Sequence, residues 1–131
     1  MTTTELAFYP KGCVLTLPYI PPRDAFPRAF EGHHWAKRAG IKQAMKDEII
    51  WVVKAGGGPP HHPFEKAHIT WTLRSPRGNY DGDNALAACK GWCDGLIAAQ
   101  VIVNDSIFRV SHTIRWERAK KEETEIRVER C

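Results

Sequence analysis

The sequence predicts one small α+β domain, a mixed α/β arrangement in the order β-α-β-α-β-β, with helices packed on a mixed sheet. Two patterns and the chain length carry this expectation. Ala67, Ile69, Trp71 and Leu73 alternate with His68, Thr70, Thr72 and Arg74, the period-two signature of a half-buried strand. Ala36, Ile41, Ala44, Met45, Ile49, Val52 and Val53 recur at helical spacing, with Lys37, Arg38, Lys42 and Lys46 mostly off that stripe. With 131 residues, 43% of them hydrophobic, the chain can bury one core as a single domain over 1–131. Strands and helices interleaved in that length belong to one sheet.

The elements follow in order. Residues 1–12 read as a variable N-terminal segment. Val14–Leu17 is a short strand that Pro18 stops. Residues 19–30 contain three further prolines and form an irregular loop carrying Arg23 and Arg28. The helix runs from about Trp35 to Lys54, and Gly56-Gly-Gly-Pro-Pro60 ends it. After the strand at 67–74, Ser75-Pro-Arg-Gly-Asn79 is a turn. Asp83 then stands where an N-cap belongs, and Asn84 to Ala99 read as one helix. Phe108, Val110, His112, Ile114 and Trp116 mark a third strand. Residues 119–124, rich in Lys and Glu, read as a solvated hairpin turn before a last strand at 125–129.

Charge is distributed unevenly. Residues 1–80 hold 11 Lys+Arg against 6 Asp+Glu, whereas residues 81–131 hold 8 against 9. Within a chain of pI about 9.0, Asp81, Asp83, Asp94 and Asp105 cluster around Lys90. Carboxylates gathered inside a cationic protein suit a divalent cation facing a polyanion. Along one continuous helix, at about 100° per residue, Lys90 and Asp94 fall within ~20° of Asp83, so the three share a polar face. Gly82 lets Asp81 and Asp83 bend toward one point, and Ala87 leaves room above the helix. Asp105 lies just before a strand expected beside residues 67–74, which would bring it to the same end as Asp81. Oxygen donors alone suit Mg2+ or Mn2+. Taken singly, each of these residues has a plain structural use: Asp83 as a cap, Asp81 as a turn residue, Lys90–Asp94 as a surface pair.

Other residues carry weaker signals. Arg23, Arg28, Lys37, Arg38, Arg74 and Arg77 are candidate phosphate contacts as a set, though each alone reads as a solvated charge. His33-His34 and His61-His62 lack neighbouring ligands at zinc spacing and read as loop histidines. Cys13, Cys89, Cys93 and Cys131 show no zinc pattern either. Trp35, Trp51, Trp71, Trp92 and Trp116 read as core or interface residues. Neither a signal peptide nor a long apolar run is present, so no membrane partner is expected and the protein reads as cytoplasmic with reduced thiols.

Three segments in this order resemble a known pattern: Asp81-Gly-Asp83-Asn84, then Lys90-Gly-Trp-Cys-Asp94-Gly-Leu96, then Val101-Ile-Val-Asn104-Asp105-Ser106. The pattern is that of the RusA family of Holliday-junction resolvases, phage-type members above all. Val14-Leu-Thr-Leu-Pro18 followed by Pro21-Pro22 is similar to the family's opening strand and loop. The resemblance covers roughly residues 14–130 and is motif-specific from Asp81 to Ser106. It implies a RusA-like fold and a homodimer that nicks opposed strands of a four-way junction with Mg2+ or Mn2+, in DNA recombination and repair. It also implies that Asp81, Asp83 and Asp105 bind the metal and that Lys90 is the catalytic lysine. Two departures stand out. The family's Asp-Asp pair is Asn104-Asp105, which removes one negative charge while keeping an oxygen. The Asp83-to-Lys90 spacing is about one helical turn longer than in the bacterial enzyme. Two other readings stay open: a branched-DNA-binding protein without catalysis, and a Mg2+-dependent hydrolase of small phosphates.

Overall fold

The computed structural model describes residues 4–26, 35–77 and 82–131. Among them a five-stranded mixed sheet carries helices on one face, as the hydrophobic patterns predict. The strands are β1 (Glu5–Tyr9), β2 (Gly12–Leu17), β3 (Ala67–Ser75), β4 (Val110–Arg118) and β5 (Glu123–Arg130). The helices are α1 (Trp35–Ala55), α2 (Gly82–Ala88) and α3 (Lys90–Ala98), with a short 3-10 turn at Arg23–Ala25. Spatial order in the sheet is β1-β2-β5-β3-β4. Only β3 and β4 pair in parallel.

The inward positions of the alternating strands meet the inward stripe of the helices. Leu15 and Leu17 of β2, Ile69, Trp71 and Leu73 of β3, and Ile126 and Val128 of β5 are buried against Met45, Ile49, Val53, Trp92 and Leu96. The outward positions are polar. There His68 bridges Ser111 and Thr113 through its two ring nitrogens. The end of α1 is set by Gly57 and Gly58, at φ of 107° and 96°, where a side chain would be strained.

Four expectations need correction. The segment read as variable contains β1, which pairs with β2 across a two-residue turn, Tyr9 opposite Gly12. Its alternation is weak because Glu5, Ala7 and Phe8 are all exposed on this edge strand. Gly12 is required where β2 meets β5, since a Cβ there would clash with the Val128 carbonyl oxygen.

The helix expected over 84–99 breaks at Cys89 (φ −85°, ψ −1°) into α2 and α3. The break lets α2 contact β4 while α3 lies along α1, two directions that one straight helix cannot follow. Asp83 therefore does not share a continuous helical face with Lys90 and Asp94.

The link 119–122 is not a hairpin turn. It carries the chain past β3, which lies between β4 and β5, and the Ala119 N–H donates to the Ser75 carbonyl at 3.0 Å. The fourth correction concerns direction. β4 does pair beside β3, but parallel to it, with Val110 opposite Ala67. The chain leaves β3 at one end of the sheet and starts β4 at the other, so strand pairing alone does not carry Asp105 toward Asp81, which lies outside the described residues. α2 and α3 make the return journey.

Candidate functional site

Asp105 is held by its neighbours before any ligand is considered. The Phe64 N–H donates to Val101 O at 2.8 Å and the Val103 N–H to Phe64 O at 3.2 Å, which pins the chain just upstream. The Asn104 side-chain oxygen then accepts the Ser106 N–H at 3.0 Å, an Asx turn around Asp105. The Ser106 carbonyl accepts the N–H groups of Arg109 and Val110, each at 2.9 Å, and launches β4. Asn104 thus spends its oxygen on the turn.

Lys90 reaches this acid from the first position of α3. Its Nζ donates to Asp105 Oδ2 at 2.5 Å and to Asp94 Oδ1 at 2.9 Å. The i,i+4 spacing within α3 delivers the second contact. Burial alone would pull the Lys90 ammonium down, but the hydrogen bonds to Asp105 and Asp94 outweigh it and leave the pKa raised. The hydrogen bond from Lys90 leads in holding the Asp105 carboxyl below the usual carboxylate range. Lys90 and Asp105 are both charged across the ordinary pH range.

Lys90 and Asp105 border a cleft of about 490 Å³ whose walls also include Lys42, Trp71, Ala87 and His112. Ala87 is exposed there, so its small side chain does leave space above α2. On the sheet side, the Trp71 indole N–H donates to His112 Nδ1 at 3.0 Å. Burial, first, keeps the His112 ring below its ordinary pKa, against an opposing pull from Asp105. Cys93, on the opposite wall, has its thiol pushed up to about 12 by burial, and burial also pushes up the Cys89 thiol. Neither thiol is a nucleophile or metal ligand near neutrality.

Of the four residues expected to carry chemistry, Lys90 and Asp105 are brought together. Asp81 lies outside the described residues. The backbone of Asp83 is in the first turn of α2, and its side chain lies outside them. Of the candidate phosphate contacts, Arg28 and the side chain of Arg38 also lie outside. Arg23 is exposed in the 3-10 turn and Lys37 is exposed near the start of α1. Arg77 is exposed beyond β3, where its carbonyl accepts the Trp116 indole N–H at 3.3 Å.

Arg74 departs from expectation. It lies between Glu117 and Glu123 on the flanking strands, with contacts of 2.8 and 2.6 Å and a third carboxylate, Glu125, at 3.7 Å. Its charge is covered by the protein itself. Among the described residues, Arg23, Lys37, Arg74 and Arg77 do not border the cleft; Lys42 and the imidazole of His112 do, and neither carries a motif that marks it. The signal for His112 was present: it takes an inward position in a strand starting five residues after Asp105.

Among the described residues, no three His, Cys, Asp or Glu side chains are grouped closely enough to hold a metal ion. The donor chemistry still fits Mg2+ or Mn2+ in kind: Asp105 offers a charged oxygen, burial pushes up the nearby Cys93 thiol, and Nδ1 of His112 is taken by the Trp71 N–H. The described residues contribute one of the three expected acids. His61 and His62 contact one another, with ring centroids 4.5 Å apart, apart from any such group. No helix among the described residues is long and apolar enough to cross a membrane. No family profile matches the chain, and no curated protein matches it at significant similarity.

Proposed function

We propose that the protein is a RusA-like, metal-dependent endonuclease that nicks branched DNA as a homodimer and resolves four-way junctions. The observation that supports this reading most is the contact between Lys90 and Asp105. The two residues are fifteen apart in sequence, on different elements, and both belong to the three ordered segments that resemble the family.

In this reading Asp105 holds Mg2+ or Mn2+ together with Asp81 and Asp83. Such a cation lowers the pKa of an attacking water and offsets charge on the phosphoryl group. The protein's own groups do the rest. Asp94 and Asp105 keep Lys90 protonated and aimed at the cleft, where its ammonium meets a non-bridging phosphate oxygen or the leaving oxygen. A homodimer presents two such clefts, one for each of two opposed strands. A basic chain of pI about 9.0 favours the polyanion.

The test is incubation of the protein with a synthetic four-way junction in Mg2+ or Mn2+. Symmetric paired nicks are expected, lost in Asp105→Asn and Asp83→Asn while junction binding persists. Absence of nicking in either metal, or undiminished nicking in both variants, contradicts the reading. One observation favours the alternative of a junction-binding protein without catalysis. The Asn104 oxygen is engaged by the Ser106 N–H and carries no charge, so the position of the family's first paired acid offers a metal at most a neutral, shared oxygen. That alternative predicts salt-sensitive junction binding with no cleavage, and cleavage gained in Asn104→Asp.

A further inference from the structure

The geometry points to a phosphate-oxyanion subsite on the wall of the cleft facing Lys90 and Asp105, made by the Lys42 ammonium and the Nε2–H of His112. Trp71 fixes the histidine's half. An indole N–H only donates, so His112 Nδ1, at 3.0 Å from it, must be the acceptor. The neutral ring then carries its proton on Nε2. Among the described residues that N–H has no hydrogen-bond partner, and it is not a sealed, unsatisfied atom. His112 borders the cleft, and Nε2–H is the ring donor left for a ligand bound there. Burial of the ring favours the neutral form and keeps this donor in place.

Lys42 supplies the charge. It lies on α1, and its backbone is pressed against the start of α3: a Cβ on Gly91 would come within 3.0 Å of the Lys42 carbonyl oxygen. Its side chain is half-buried and borders the same cleft. Lys90 is covered by Asp94 and Asp105, whereas Lys42 has no carboxylate within 4.0 Å among the described residues. An uncompensated ammonium and a neutral, pre-oriented N–H bordering one cleft suit an oxyanion bound between them. The two also divide the work: the lysine adds charge and the histidine adds direction. Other ionisable groups bordering the space are Asp105, Lys90 and the thiols of Cys89 and Cys93. This assignment rests on the endonuclease reading for the source of the phosphate, a DNA strand.

The experiment uses the full chain. Long-range 1H–15N spectra are expected to show His112 with a bare Nδ1 and a protonated Nε2, and added inorganic phosphate should shift the Nε2–H. Junction binding without catalytic metal is measured against salt concentration. Lys42→Met should weaken it and lower the salt slope by about one phosphate contact. His112→Leu should weaken binding with the slope unchanged, because the ring is neutral. His112→Gln, whose amide can both accept from Trp71 and donate to phosphate, should restore binding, which separates this role from a merely structural one. A proton on Nδ1, or junction affinity unchanged in both Lys42→Met and His112→Leu, overturns the subsite, even if wild-type nicking is intact. Phosphate shifts at His112 without any nicking of junctions sink the endonuclease reading and leave the subsite standing.

Discussion

Lys90 joins two carboxylates that its absence would leave facing each other. The side chains of Lys90, Asp94 and Asp105 are 44%, 37% and 33% exposed, so water screens them and each pair contributes only about 0.2–1 kcal/mol. Lys90→Met is therefore expected to shift the melting temperature slightly while removing most of the nicking activity. The pH dependence has a definite sign. Asp105 has a depressed folded pKa, so its stabilisation is present above the ordinary aspartate range and fades as pH falls through the folded value. Lys90 has a raised folded pKa, so its share is complete below the ordinary lysine value and is lost only in strong alkali. The stability gap between wild type and Lys90→Met should be flat from about pH 5 to 9 and close in acid. Thermal melts followed by circular dichroism across that range check this; a gap that widens in acid contradicts it. The charge cluster was legible in the sequence, because Lys90 and Asp94 obey i,i+4 spacing. The role of Asn104 was not, since composition does not say that its oxygen turns back on Ser106 N–H.

α3 reaches α1 through two glycines on one face. A Cβ on Gly95 would lie 2.6 Å from Ile49 Cβ and 2.8 Å from Lys46 O, and one on Gly91 would lie 2.8 Å from Met45 Cβ. Close approach of the two backbones brings Lys90 and Lys42 to the border of one cleft. Gly95→Ala is expected to destabilise, because overpacking costs about 1–3 kcal/mol against a ~1 kcal/mol gain in helix propensity. Gly40, in exposed α1 with nothing within 4 Å of its notional Cβ, is the control: Gly40→Ala should stabilise by about 0.5–1 kcal/mol. Urea unfolding of both variants measures the contrast, and equal stabilisation would refute close helix contact. Period two in β3 and the stripe on α1 were readable because burial imposes them residue by residue. The break at Cys89 was not, because Leu86, Cys89, Cys93 and Leu96 keep an apolar stripe running through it. Only the competing demands of β4 and α1 bend the chain there.

At the scale of the molecule, β3 sits between β4 and β5, and Arg74 ties all three together. Arg74→Met leaves Glu117, Glu123 and Glu125 facing one another and should cost about 1–3 kcal/mol of stability. Since its charge is already covered, the salt slope of DNA binding should not change. A lowered slope in this variant would return Arg74 to the DNA path. Strand order and direction were illegible for a physical reason: a short polar link such as 119–122 reads as a hairpin whether or not a third strand lies between the strands it joins. The parallel course of β4 likewise leaves no mark on its own alternation. The acids were legible as a set of types and spacings, while the wall opposite them, Lys42 and His112, emerges only when α1 and β4 are brought together.

The claim on which the function depends is that Asp81 and Asp83 close on Asp105 around one cation. Anomalous diffraction from crystals grown with Mn2+ tests it most directly. The expected result is a single peak within coordinating reach of an oxygen of each of the three aspartates, on the side of the cleft that Lys90 borders. A peak elsewhere, or Asp81 and Asp83 turned away from Asp105 in the metal-loaded crystal, would contradict it.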